Sequence, residues 1–100
     1  MVNQIDKKRA YQEKVSAKLD QLNARIEELK ARAKLAKADT AIEYRHQVEE
    51  LAAKRDTARS KFEELQQASE AAWEELQTGI EKAWNDLACA IEQATQKFQS

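Results

Sequence analysis

Proline is absent from this 100-residue sequence, and glycine, cysteine, methionine and histidine occur once each. Tight turns between strands need those turn residues, and no run alternates apolar and polar with period two, so a β-sheet protein is excluded. A single cysteine builds no disulfide framework and points to a reducing compartment, the cytoplasm. His46 and Cys89 lie far apart in the sequence, and a metal centre needs several convergent ligands, so no metal is expected. No apolar run approaches the roughly 20 residues that cross a bilayer. The opening Met-Val-Asn-Gln-Ile-Asp does not read as a signal peptide. Glycine-rich phosphate loops and nucleophile–base pairs are also missing, and the carboxylates lie among Lys and Gln. The sequence therefore offers no catalytic residues and no cofactor site, and it is not read as an enzyme.

What remains is rich in Ala, Glu, Lys, Gln and Leu, the residues of long helices. The plainest pattern runs from Phe62 to Phe98 and repeats every eleven residues. The unit Trp-Glu-Glu-Leu-Gln-Thr-Gly-Ile-Glu-Lys-Ala (73–83) is followed by Trp-Asn-Asp-Leu-Ala-Cys-Ala-Ile-Glu-Gln-Ala (84–94). Phe62 and Leu65 hold the Trp and Leu places of an earlier unit, and Phe98 holds the Leu place of a truncated fourth. Eleven residues make three helical turns plus about 20°, so like positions return to nearly the same side. Trp73, Leu76, Ile80, Ala83, Trp84, Leu87, Ile91, Ala94 and Phe98 thus form one apolar stripe. Beside it stand small residues (Ala68, Gly79, Ala90) that would let a partner backbone approach closely. Leu87–Ala88–Cys89–Ala90–Ile91 is apolar on all sides and asks for neighbours on more than one face, with Cys89 a small filler in a crowded contact.

The first half carries heptads instead. Val15, Leu19, Leu22, Ile26 and Leu29 step by four and three, continued by Ala33 and Ala36. The seam thins over 30–38, where Lys30, Arg32, Lys34 and Lys37 meet no acid. It resumes out of phase as Tyr44, Val48, Leu51, Arg55, Ala58, Phe62 and Leu65. Asn3 is placed to cap a first helix, with Asp6 in its first turn and Ile5 and Tyr11 as scattered apolar residues. Asp39 or Thr40 is placed to cap a second helix, and Ser69 a third. The expected pieces are roughly 3–37, 40–67 and 69–98, with breaks near 38–40 and 67–69, although neither break contains Gly or Pro. The fold class is all-α: a single domain (1–100) of long amphipathic helices, as an antiparallel hairpin or a three-helix bundle. Unbroken, the helix would be about 150 Å long, a hairpin about 100 Å and a three-helix bundle about 50 Å.

The net charge of −1 hides a polarity. Residues 1–61 carry 15 Lys+Arg against 10 Asp+Glu, whereas residues 62–100 carry 2 against 8. Opposite signs favour bringing the two parts together, weakly, because exposed ion pairs contribute about 0–1 kcal/mol each. The four cations of 30–37 have no interleaved aromatics and match no nucleic-acid motif, so nucleic acid is not the expected partner.

The heptad first half, Ile-Glu-Tyr (42–44), Glu-Glu-Leu-Ala-Ala-Lys-Arg-Asp (49–56) and the double-Trp segment Ala-Trp-Glu-Glu-Leu…Ile-Glu-Lys-Ala-Trp-Asn-Asp-Leu (72–87) resemble a family of short bacterial coiled-coil stress-response proteins. The likeness covers nearly the whole chain and is most specific in the double-Trp repeat. It implies a soluble bacterial protein linked to stress, with no catalytic residues to carry over. The expected function is a self-associating structural, scaffold or protective factor whose partner is another copy of the chain. The alternative is an amphipathic helix that binds lipid or another apolar surface through Trp73 and Trp84. The eleven-residue repeats are similar to those of apolipoproteins, synucleins and desiccation-tolerance proteins, which implies that behaviour.

Overall fold

A computed structural model describes residues 4–97, and in it the chain turns twice. Three helices result: α1 (Gln4–Leu35), α2 (Ala38–Gln66) and α3 (Glu70–Lys97). The described residues contain no strand. The bundle measures 55 × 22 × 17 Å, the length of the three-helix alternative. The cap expected at Asn3 and the end of the stripe at Phe98 lie outside the described residues.

Both turns are made without glycine, proline or any positive φ. At the first, the Ala36 amide donates to the Ala33 carbonyl at 3.3 Å and closes α1 with a tight last turn. Lys37 then takes an extended backbone (φ −66°, ψ 154°), open to any residue, and its carbonyl accepts from the Ala41 amide at 2.7 Å. Lys37 is the N-cap and makes no side-chain capping bond, so the expected caps at Asp39 and Thr40 are corrected. Both residues lie inside α2, where Asp39 supplies negative charge in the first turn. At the second turn, Gln67 and Ala68 donate to the Glu64 and Leu65 carbonyls at 3.2 Å each. The Ser69 carbonyl accepts from Ala72 and Trp73 at 3.1 Å each, which puts Ser69 at the expected N-cap position of α3.

The seams close on one another. Val15, Leu19, Leu22, Ile26 and Leu29 of α1 meet Tyr44, Val48, Leu51, Ala58, Phe62 and Leu65 of α2, all buried. From α3 come Ile80, Leu87 and Ile91, each 0% exposed, and Ala94. Burying each such large side chain stabilises the fold by about 1.5–3 kcal/mol, which is why the stripe drives the chain to fold back.

The core has two parts, and the divide between them is polar. Leu22, Ile26, Leu29, Tyr44, Val48, Leu51, Leu87, Ile91 and Ala94 form one cluster. Val15, Leu19, Ala58, Phe62, Leu65 and Ile80 form the other. Arg55 lies on the α2 seam between Leu51 and Ala58. Its Nη1 donates to Asn23 Oδ1 at 2.9 Å, with Glu27 at 4.0 Å, which ties α2 to α1 at mid-height. Trp84 packs against both clusters.

Opposite charge also lines up as expected: α1 holds nine Lys+Arg against five Asp+Glu, and α3 two against six. The helices run up, down and up, so α1 and α3 are parallel neighbours, joined at the start by Lys8–Glu70 at 3.6 Å. At the other end Lys97 pairs with Glu43 of α2.

Candidate interaction surface

Parallel α1 and α3 leave an open seam, and the aromatic residues gather on it. Tyr11 sits edge-on to Trp73, with ring centroids 6.1 Å apart, and lies 6.4 Å from Trp84 in a tilted arrangement. Lys8 Nζ stands 5.1 Å from the Trp73 ring, within cation–π range. The Tyr11 hydroxyl donates to Glu81 Oε1 at 3.2 Å, with the Gln77 carbonyl at 3.5 Å. Burial, and then the Glu81 carboxylate beside it, push the Tyr11 phenol well above its ordinary pKa, so it stays a donor. Further along, Trp84 forms a wall of an open groove of about 680 Å³, opposite Lys14, Ala17, Lys18, Asp20 and Gln21 of α1.

Of the stripe residues, Trp73, Leu76 and Trp84 are half-buried and form the rim of the core. In α3 the inward direction is set by Ile80, Leu87 and Ile91, and Trp84 is rotated from it by about 40° towards α1. An indole so placed covers core with one part and shows the rest to solvent. Of the small residues beside the stripe, Gly79 admits no backbone inside the bundle. A Cβ built on Gly79 meets only Lys61 Nζ, at 3.7 Å. Cys89 is exposed, so the crowded contact expected around it does not exist within the chain. His46 is exposed as well, and the described residues hold no group of three or more His, Cys, Asp or Glu that could bind a metal.

Two features leave little mark in the sequence. Tyr11 counted there as a scattered apolar residue of a weakly amphipathic start, and only the return of α3 gives it partners. Its spacing of four from Val15 is the signal that was there to find. On α1, Ala10, Ala17, Ala24 and Ala31 recur every seven residues and are all exposed. Heptad spacing keeps them on one outer strip, bare of bulk, and Ala17 borders the Trp84 groove.

At the far end of the bundle, the α1–α2 turn carries the exposed large hydrophobic residues Leu35 and Ile42. Among the described residues no helix is long and apolar enough to cross a membrane. No protein-family model, no curated protein and no solved structure matches the chain.

Proposed function

We propose that this chain performs no chemistry of its own and works by associating with further copies of itself, as a structural or protective scaffold. The setting we propose is the reducing interior of a bacterial cell under stress, following the lone cysteine and the coiled-coil resemblance. The observation that carries the association is the Trp84 groove, an apolar wall between a basic helix and an acidic one. A two-fold axis running along that groove, parallel to the helices, lays each copy's α1 over the other's α3. Such a pairing is self-complementary in charge and closes at a dimer. Trp84 is then the central anchor, of the kind that dominates protein interfaces.

Lipid binding through the stripe has less support. Ile80, Leu87 and Ile91 are fully covered by the chain's own helices, so a membrane would have to open the bundle to reach them. Sedimentation across a wide concentration range tests the proposal. The chain should form a reversible dimer, and Ala17→Arg, at an exposed helix position, should remain a folded monomer. A compact monomer at every concentration ends the proposal.

A further inference from the structure

The tip of the bundle has a surface chemistry found nowhere else among the described residues. Leu35, the last residue of α1, is 88% exposed, and Ile42, in the first turns of α2, is 68% exposed. The large apolar residues of the seams are buried, whereas these two, which belong to neither seam, protrude. Around them stand Lys30, Arg32, Lys34 and Lys37, all exposed, with Arg45 one turn beyond Ile42. Residues 30–46 hold five Lys+Arg against two acids, Asp39 and Glu43. Of those, Arg32 also reaches Glu28 at 3.1 Å, and Glu43 is engaged by Lys97.

A groove of about 300 Å³ enters the same end between α1 and α2. Ala33 and Val48 form its apolar floor, and Lys30, Lys34 and Arg45 stand at its mouth with Glu49. Lys30 and Lys34 are four residues apart and therefore lie on one side of α1.

We propose that this tip docks onto an anionic phospholipid surface, Leu35 and Ile42 entering the headgroup boundary while the lysines and arginines engage lipid phosphates. The prongs are convex, and a bilayer accepts a convex apolar prong without a matching pocket, whereas a folded protein partner must supply one. Leu35 sits at the end of its helix and Ile42 about 6 Å below the start of α2, since each residue rises about 1.5 Å. Interfacial segments sink roughly 5–10 Å, enough to immerse both. Lys and Arg on flexible stems keep their charged ends at phosphate level while the stems cover apolar surface. The acidic α3 is excluded from such a surface over most of its length, so attachment is end-on and the bundle stays closed. The Trp84 groove remains free, and this docking does not depend on the association proposed above.

Flotation of the full chain with phosphatidylcholine vesicles, with and without phosphatidylserine, tests the proposal. Binding is expected only with phosphatidylserine and should be released by high salt. Each Lys or Arg removed from the tip weakens attachment to anionic lipid by about fivefold. Lys34→Gln with Lys37→Gln should therefore cost about 25-fold at low salt. Leu35→Ser with Ile42→Ser should lower partitioning at least tenfold with an unchanged circular dichroism spectrum, since both side chains are already exposed. Tryptophan emission should not move on binding, because the Trp84 groove ends at Gln21, about 21 Å along α1 from Leu35, and Trp73 lies farther still. Ala17→Arg should bind as the natural chain does.

Equal binding to both vesicle types, or to neither, overturns the proposal. So does binding that survives the double serine variant, or a blue shift of Trp73 and Trp84, which would mean that the bundle opens on lipid. If the double serine variant lowers self-association and leaves flotation unchanged, the tip is an interface between copies and the lipid assignment fails.

Discussion

Gly79 is the only glycine in the chain and sits ten residues into a 28-residue helix. Its φ is not positive, so no backbone conformation demands it. A glycine in a helix interior costs about 0.8–1.0 kcal/mol relative to alanine. The usual repayment is close approach of another backbone, and that is missing here. A methyl group at this position would meet Lys61 Nζ at 3.7 Å, an ordinary contact with the mobile end of a long side chain. Gly79→Ala should therefore stabilise the protein by about 0.4–1 kcal/mol, through the reduced freedom of the unfolded chain. For a chain of this size each kcal/mol moves the melting midpoint by about 4–8 °C, so a rise of about 2–8 °C is expected. Thermal and urea unfolding followed by circular dichroism at one fixed protein concentration measure it, with the denaturant slope unchanged. Destabilisation by about 1 kcal/mol or more would refute the reasoning, because it would require a backbone pressed against Gly79. A loss of self-association in Gly79→Ala would place that backbone in a second copy and move the proposed interface from the α1–α3 seam to the α2–α3 side.

Leu87→Ala should lose about 2–5 kcal/mol in urea unfolding, while Leu35→Ala should stay within about 0.5 kcal/mol; equal effects would mean that the assigned burial is wrong. Arg55→Met should cost no more than about 1–2 kcal/mol, since Glu27 and Asp56 are exposed and stay solvated while Asn23 loses its donor. Native-state hydrogen exchange should nevertheless quicken near Asn23 if the Arg55–Asn23 bond fixes the register of α1 on α2. Tyr11 gives a signed pH dependence. Its phenol holds its proton more tightly in the folded chain than in the unfolded one, whose value is 10.0. The stability it contributes is complete below about pH 10 and is lost as the pH rises above that value. Tyr11→Phe should show a shallower alkaline loss of stability than the natural chain, and identical slopes would rule out the Glu81 contact.

The helices were legible because apolar spacing alone fixes which side of a helix must be covered. Every large apolar residue of the two heptad seams, from Val15 to Leu29 and from Tyr44 to Leu65, is buried. The change of phase between Leu29 and Tyr44 suits an unbroken helix as well as a turn, and the break itself falls at Ala36 and Lys37, just before the expected 38–40. Capping was less legible. Thr40 fits a capping box, but so do Ser60 and Thr78, and both of these lie mid-helix, the Thr78 hydroxyl bonding the Glu74 carbonyl. The actual cap, Lys37, works through its backbone alone, and that leaves no mark in side-chain identity. Spacing also placed both Trp residues on the stripe without revealing that they stand at its edge. Spacing gives the 40° between Trp84 and the Ile80–Leu87–Ile91 line, but which line of the stripe faces the core is set only by the packed helices. The aromatic site at Tyr11 was hidden for a further reason: it is formed by residues 62 or more positions apart, and a periodicity argument sees one helix at a time.

Trp84 is the proposed meeting surface between copies, while Ile80, Leu87, Ile91 and Ala94 close inside one chain. That assignment is tested most directly by the emission of Trp84 alone, in a Trp73→Phe chain, followed with acrylamide quenching as the protein concentration rises. A half-accessible indole is expected in dilute solution, shifting to the blue and losing access to quencher as the dimer forms, with no such change when Ala17→Arg is added. Emission and quenching that stay constant while the sedimentation coefficient rises would place the association elsewhere and contradict that assignment.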